Sequence, residues 1–259
     1  MTPRRFTRFS HRTVILAALG LLLGLLAAAN SAATALTPAR HGHFGHYTFA
    51  LTWQPGFCST ESGCLPDQPK TVLIGLHGLW ASRPQSLIAR GVSAPQWWRR
   101  GCDYFHPSHR GPWLPAATYR QLRQVMPHLR HSLLRHEYDK HVQCFGFDAP
   151  RFFETELGMR QAVVRSAFGR YLTQTARGHE VERADVIDAF TSAFGTDQRS
   201  ALQLQCGRSH DGRRVLTQMW ITVHTDALAR FPQASSLMNA PIWQDDCPGR
   251  FWVPDWSAP

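Results

Sequence analysis

Residues 71–80 are TVLIGLHGLW, a segment in which one histidine follows a run of aliphatic and β-branched residues. A short apolar run of this composition predicts a buried strand from Thr71 to Leu76 rather than a helix. We therefore expect His77 to lie where this strand ends, with Trp80 close behind it. A histidine at this position is equally consistent with a core residue, so this segment assigns no function on its own.

The rest of the sequence predicts strands near both ends of the chain and helices between them. Predicted strands cover residues 47–53, 201–206, 215–225 and 251–253. Predicted helices cover residues 114–126, 129–145, 149–176 and 183–194. Residues 81–114 are rich in Pro, Gly, Ser and Trp and predict irregular structure. Separate strand and helix regions favour an α+β fold over repeating β-α-β units.

The first 35 residues have the pattern of a secretory signal peptide. Four arginines precede the uncharged apolar run Val14 to Ala29, and Ala33-Thr34-Ala35 fits an A-x-A cleavage site. A membrane anchor is the alternative, but the run is short of the ~20 residues that span a bilayer. We expect cleavage, no membrane attachment afterwards, a periplasmic or secreted location, and one catalytic domain over residues 36–259.

Charge and cysteine content narrow the class of protein further. The chain has 28 Lys and Arg against 18 Asp and Glu, and removing the four signal arginines leaves 24 against 18. This balance favours an anionic partner without identifying one. Six cysteines, all after the signal, predict three disulfides in an exported chain, although their pairing stays open. With no C-x-x-C, a zinc site built from cysteines is not expected.

Residues 136–141, HEYDKH, fall in the second predicted helix and carry the densest set of reactive side chains. At about 100° per residue, Glu137, Lys140 and His141 lie roughly 100°, 40° and 140° from His136, so all four share one face. A solvated helix face with an ordinary Glu137–His141 pair is the simpler alternative. A zinc protease motif needs histidines four apart, and these are five apart, so we do not expect a zinc protease. We also expect no cofactor.

These residue types suit cleavage of a phosphodiester by the 2′-hydroxyl of RNA. Histidine is the natural acid and base because its ordinary pKa is about 6.5. Lysine supplies positive charge for the phosphorane oxygens. Lys140 is one of only two lysines among the 28 basic residues, which favours a need for a compact ammonium at this position, with chance placement as the alternative.

Three segments resemble motifs of the ribonuclease T2 family. Residues 75–80, GLHGLW, are similar to its first catalytic motif, usually written (I/V)HGLWP. Residues 136–141 are similar to its second, usually HEWxKHG followed by a cysteine, and Cys144 takes that place. Residues 51–58, LTWQPGFC, resemble the first strand of the bacterial periplasmic members of the ribonuclease I type. The similarity covers residues 46–253.

The resemblance implies a fold and an activity. The fold is α+β, with a central antiparallel sheet, packed helices and stabilising disulfides. The activity is endonucleolytic, cleaving single-stranded RNA through 2′,3′-cyclic phosphates to 3′-nucleotides without a metal, in a monomeric enzyme. Two alternatives stay open: a catalytically silent RNA-binding member, and a secreted phosphodiesterase that acts on esters other than RNA.

The resemblance also assigns roles to the reactive residues. His77 and His141 are implied as the acid–base pair, with His141 as the base toward the 2′-hydroxyl and His77 as the acid, although the roles could be reversed. Glu137 and Lys140 are implied to stabilise the phosphorane, and His136 to bind phosphate.

Further implied features concern substrate binding and the disulfides. Trp80, Trp53 and Gln54 are the expected substrate contacts. The implied disulfide pairs are Cys58–Cys64, Cys102–Cys144 and Cys206–Cys247. Ala81 replaces the usual proline after Trp80, and Ser82 stands where many members carry an acidic base-pocket residue, so we expect little base preference. Val142 replaces the usual glycine after the last histidine.

Overall fold

Six strands form one sheet in the computed structural model, which describes residues 36–60, 63–106, 108 and 110–256. The strands are β1 (His46–Trp53), β2 (Ile74–Ala81), β3 (His179–Glu182), β4 (Leu202–Arg208), β5 (Arg214–His224) and β6 (Arg250–Val253). Their order is β2-β1-β5-β6-β3, and β4 also pairs with β5. Pairing is antiparallel except for one parallel contact between β5 and β6, so the sheet is mixed.

Eight α-helices lie within the described ranges, most of them between β2 and β4. They are α1 (Gln54–Cys58), α2 (Gln85–Ala89), α3 (Ala94–Arg100), α4 (Ala116–Val125), α5 (Leu133–Glu137), α6 (Ala149–Arg165), α7 (Ala167–Arg170) and α8 (Arg183–Phe194). The predicted helix over residues 183–194 is confirmed as α8. Among the described residues, none of the helices combines the length and the apolar character that crossing a membrane requires.

One prediction of irregular structure and one helix prediction were wrong because of helix capping. The expectation of irregular structure over residues 81–114 failed because Ser93 and Gln96 form a reciprocal capping box that starts α3. The predicted helix over residues 149–176 is interrupted because the backbone of Ser166 is extended. Its hydroxyl accepts a hydrogen bond from the N–H of Gly169 at 3.0 Å and begins α7.

The hydrophobic core lies between the sheet and the helices that cover β2. Helices α4, α5 and α6 all pack against β2. Aromatic side chains dominate this core, and those without exposed surface include Phe49, Trp53, Phe145, Phe152 and Phe153. Burying each such ring stabilises the fold by about 1.5–3 kcal/mol, so the strand that carries His77 has a rigid support.

Three disulfides link Cys58–Cys64, Cys102–Cys144 and Cys206–Cys247, the pairs that the resemblance implied. The second joins a 3₁₀ turn, Gly101–Phe105, to the end of the helical segment that carries His141. The third joins β4 to the chain after residue 240. The two longer loops span 42 and 41 residues. Chain entropy gives about 4 kcal/mol of stabilisation for closing a loop of that length.

The described residues belong to one compact unit, Ala35–Pro259. The predicted signal peptide, residues 1–35, lies outside the described residues. The predicted strands over residues 47–53, 201–206, 215–225 and 251–253 are confirmed as β1, β4, β5 and β6, with small shifts at their ends.

Candidate active site

A β-bulge places His77 in the cleft. Along the β1–β2 pair, Ala50 lies opposite Gly78 and Leu51 lies opposite Leu76, so His77 has no partner across the strands. A bulge of this kind leaves one residue unpaired and changes the direction of its side chain. The expectation that the strand ends at His77 was wrong, because the apolar pattern resumes at Leu79 and β2 continues to Ala81.

His136 and His141 lie close together near the junction between helix α5 and a π turn. Helix α5 continues directly into a π turn, Tyr138–Val142, and then a 3₁₀ turn, Gln143–Phe145. The two imidazole centroids are 6.3 Å apart. This proximity agrees with the shared helix face that the sequence predicts.

The carboxylate of Glu137 is held against β2 by a direct hydrogen bond. The indole N–H of Trp80 donates to Glu137 Oε2 at 2.6 Å, and His77 Nε2 lies 3.6 Å from Glu137 Oε1. Gly78 makes this approach possible, because a β-carbon there would lie 2.2 Å from Glu137 Oε2. Residue 78 must therefore be glycine if the Glu137 carboxylate is to keep its place.

Trp80 connects the two histidines that the sequence assigned as acid and base. Its ring centroid is 5.6 Å from that of His77, nearly perpendicular, and 5.3 Å from that of His141, tilted by 32°. Both imidazoles line one cleft together with Lys140 and Glu137. The structure thus brings residues 77 and 141 to one place, although they come from a strand and a helix.

Thr52 was not identified from the sequence and contacts the first histidine. Its hydroxyl lies 3.4 Å from His77 Nδ1, and the side chain of Thr52 is fully buried. Phe57 adds an edge-on ring contact with His77 at 6.1 Å. These contacts limit rotation of the imidazole. The signal that could have revealed Thr52 is the strand alternation of β1, but that pattern does not show which strand lies beside it.

Burial disfavours charge on the groups at the centre of the site. Burial, together with the positive charges of His136 and Lys140, lowers the pKa of His77 to about 3. The same influences hold the pKa of His141 well below its usual value. Burial raises the pKa of Glu137 to about 8, although the Trp80 hydrogen bond and the Lys140 charge oppose this rise. Without a bound anion, the two imidazoles are therefore neutral at pH 7.

The cleft has a volume of about 830 Å³ and two chemically different walls. One wall presents His136, Lys140 and His141 from helix α5 and the π turn, together with His77 from β2. A second wall presents Pro241 and Ile242, and Trp220 lines the same cleft. The size suits a ligand of one or two nucleotides, and the cationic wall suits a phosphate.

Three of the predicted catalytic residues also have the donor set of a metal site. Ligand atoms of His136, Glu137 and His141 lie within 4.8 Å of one another. Imidazole nitrogens with one carboxylate oxygen are donors that zinc accepts. The sequence argument had rejected a zinc protease motif here from the spacing of the two histidines.

Two expected substrate contacts do not lie in the cleft. Trp53 is fully buried and donates its indole N–H to the carbonyl of Pro254 at 2.8 Å. Gln54 is also fully buried, donates to the carbonyl of Val125 at 2.8 Å and accepts from the side chain of Gln68. The expectation that Trp53 and Gln54 bind substrate is thus corrected, because their polar groups are used within the fold.

Ser82, expected near a base pocket, is hydrogen-bonded to the backbone at the start of β1. Its hydroxyl oxygen accepts hydrogen bonds from the backbone N–H groups of Gly45 and His46, at 3.0 and 3.2 Å. It lines the cleft beside Ala81. An acidic side chain at this position would be a strong acceptor for a base, and serine does not supply one.

Comparison with known proteins agrees with this geometry. A sequence model of the Ribonuclease T2 family matches residues 44–233. The chain is 30% identical over 250 residues to Ribonuclease I of Escherichia coli, covering 85% of this chain and 90% of that protein. The fold is similar to ribonuclease MC1 from bitter gourd seeds, with a TM-score of 0.54, 19% identity and coverage of 81% and 100%. It is also similar to Japanese pear S3-RNase, with a TM-score of 0.56, 16% identity and coverage of 80% and 98%.

Proposed function

Because the chain belongs to the ribonuclease T2 family and is an endoribonuclease of that type, we propose that it cleaves single-stranded RNA through the RNA's own 2′-hydroxyl. The products are a 2′,3′-cyclic phosphate and then a 3′-nucleotide, formed with little base preference and without a metal. The observation that carries this proposal is the meeting of His77 and His141 at Trp80, with Lys140 in the same cleft.

In the first step, His141 takes the proton of the 2′-hydroxyl while the 2′-oxygen forms a bond to phosphorus. The bond from phosphorus to the 5′-oxygen breaks, and His77 gives its proton to that oxygen. In the second step a water molecule replaces the 2′-oxygen at phosphorus, and the two histidines exchange roles. Each imidazole therefore needs the protonation state opposite to that of its partner.

Positive charge for the phosphorane comes from the helical side of the cleft. Lys140 supplies a fixed ammonium, and His136 binds a phosphate oxygen. Glu137, held by Trp80, lies beside His77 and stabilises its imidazolium form. A bound phosphate raises the pKa of a nearby histidine. Substrate binding thus offsets the burial that keeps His77 neutral in the free enzyme.

Individual roles can be tested with a substrate whose leaving oxygen is replaced by sulfur. A thiolate leaves without needing a proton, so His77→Ala should lose little activity on this 5′-phosphorothiolate substrate. The same variant should lose about 10²- to 10⁴-fold in kcat on ordinary RNA. His141→Ala should lose activity on both substrates. The opposite pattern would exchange the two roles.

Product analysis tests the proposed reaction as a whole. RNA treated in EDTA should yield 2′,3′-cyclic phosphate ends, and DNA of the same sequence should stay intact. A metal-dependent phosphodiesterase is the second candidate, because His136, Glu137 and His141 have the donor set of a metal site. Loss of RNA cleavage in EDTA with recovery on added zinc would favour that candidate.

We also propose that the enzyme acts as a monomer in the periplasm or outside the cell, after removal of a signal peptide ending at Ala35. Three disulfides support an oxidising compartment. N-terminal sequencing of the exported protein should begin at Leu36. A chain that keeps its first residues and sediments with membranes would contradict this proposal.

A further inference from the structure

Trp220 forms part of the cleft floor at a distance from the catalytic histidines. It lies on β5, two strands away from β2, which corresponds to about 10 Å at the usual strand spacing. Its indole N–H donates to Gln218 Oε1 at 3.0 Å, and this bond orients the ring. Its one ring contact in the described structure is edge-on to Trp80, at 5.3 Å. Trp220 is only partly buried and lines the cleft.

The wall next to Trp220 is a fixed loop, residues 240–244. Gln203 of β4 donates to the carbonyl of Ile242 at 3.0 Å and accepts from the backbone N–H of Gln244. Asp246 accepts from the N–H of Cys206 at 2.7 Å, and the Cys206–Cys247 disulfide closes the connection. This loop lies beyond residues 44–233, which match the family.

The chemistry of this wall differs from that of the catalytic wall. Ile242 is 45% exposed and lines the same cleft as Trp220 with an apolar side chain. Gln244 also lines the cleft, and within the described ranges its side-chain amide has no hydrogen-bond partner. An aromatic floor, an apolar wall and an amide that can both donate and accept suit the flat, polar-edged shape of a nucleobase better than a phosphate.

We propose that Trp220, Ile242 and Gln244 form a binding slot for a second nucleobase, one nucleotide away from the ribose whose 2′-hydroxyl reacts. Trp80 lies between Trp220 and His141 and contacts both rings. A base stacked on Trp220 therefore belongs to the next nucleotide of the RNA. The slot rests on the proposed ribonuclease activity. It accepts any base, because stacking needs only a π face and one amide can pair with every base edge.

The test uses two short oligonucleotides that each contain a single ribouridine as the only cleavable site. In one, deoxyadenosines flank the uridine. In the other, abasic deoxyriboses flank it. For the wild-type protein, KM should be lower with the flanking bases. Trp220→Ala should raise KM on the first substrate roughly 10-fold, the effect expected for loss of one stacked base, and should match the wild type on the abasic substrate.

Trp243→Ala is the matched control. Trp243 belongs to the same loop, is 60% exposed and lies under the guanidinium of Arg183, 4.9 Å from its ring centroid, outside the cleft lining. This variant should behave as the wild type on both substrates. Ile242→Asp tests the slot at an exposed position that leaves the core intact. It should raise KM on the base-flanked substrate only.

The outcomes separate the slot from the ribonuclease activity. If the wild type cleaves neither oligonucleotide, the proposed function fails. If the wild type cleaves both and Trp220→Ala and Ile242→Asp leave KM unchanged, the slot is overturned and the proposed function stands. An equal KM rise on both substrates would also overturn it, since the effect would not depend on the flanking base. Circular dichroism should first show that each variant is folded.

Discussion

The indole N–H of Trp80 donates to Glu137 Oε2 at 2.6 Å, and this bond joins the bulged strand to the π-helical segment. Glu137 is 2% exposed, so its carboxylate has little contact with water. Burial raises the pKa of Glu137 to about 8, and the hydrogen bond from Trp80 opposes that rise by favouring the ionised form. The bond therefore couples the position of the Glu137 carboxylate to its charge.

Trp80→Phe tests that coupling, because it removes the donor and keeps a ring in place. We expect the free energy of unfolding to fall by about 1–3 kcal/mol, the cost of leaving a buried acceptor without its partner. We also expect a lower kcat, since loss of this donor raises the pKa of Glu137 further and so disfavours the ionised form that stabilises the His77 imidazolium. Urea unfolding and steady-state kinetics measure the two effects. Unchanged values of both would show that the bond contributes nothing.

Gly78→Ala tests the close approach of the carboxylate to β2. The added β-carbon would lie 2.2 Å from Glu137 Oε2 and 2.8 Å from Trp80 Nε1, so the carboxylate or the strand must move. We expect kcat to fall by at least 10-fold, since displacements of about 1 Å at a catalytic group can cost 10²-fold. RNA cleavage under saturating substrate is the measurement.

Gly158→Ala is the matched control for that substitution. Gly158 lies within α6, and a β-carbon there meets nothing within 4 Å. Alanine in place of a mid-helix glycine should raise the free energy of unfolding by roughly 0.5–1 kcal/mol and leave cleavage unchanged. A similar loss of activity in both variants would mean that the effect at Gly78 is not specific to Glu137.

The sequence predicted the elements that depend on local pattern and missed those that depend on partners. The helix of residues 183–194 and four strands follow from their apolar periodicity. The bulge at His77 exists only because the pairing register between β1 and β2 shifts between Ala50 and Leu51. No periodicity within residues 71–80 shows that mismatch.

The candidate site was predicted in its residues but not in its geometry. His77, Glu137, Lys140 and His141 line one cleft as the resemblance implied. The π turn over residues 138–142 departs from the regular helix that a helical wheel assumes. Trp53 and Gln54 were misassigned because a motif shows which residues accompany a site, not whether their polar groups are already bonded within the fold.

The pH dependence of cleavage should reflect the burial of His77. If His77 must be protonated to act as the acid, the protonated fraction falls as pH rises above its pKa, which burial lowers to about 3. We expect kcat/KM to fall with rising pH from below pH 6.5, the usual histidine value. The falling limb of kcat should lie at higher pH, because bound phosphate raises the pKa of His77. A kcat/KM that keeps rising above pH 7 would contradict the role of His77 as acid.

Lys140→Arg tests whether the site needs a compact ammonium rather than only a positive charge. Gly101 packs so closely on this residue that a β-carbon there would lie 2.3 Å from the Lys140 carbonyl oxygen and 2.7 Å from its Cγ. The broader, planar guanidinium cannot take the same position against the phosphorane. We expect kcat to fall by about 10-fold or more, which corresponds to at least ~1.4 kcal/mol of transition-state stabilisation. Lys70→Arg, at the only other lysine and on the exposed surface, should keep full activity. Full activity of Lys140→Arg would show that charge alone is sufficient.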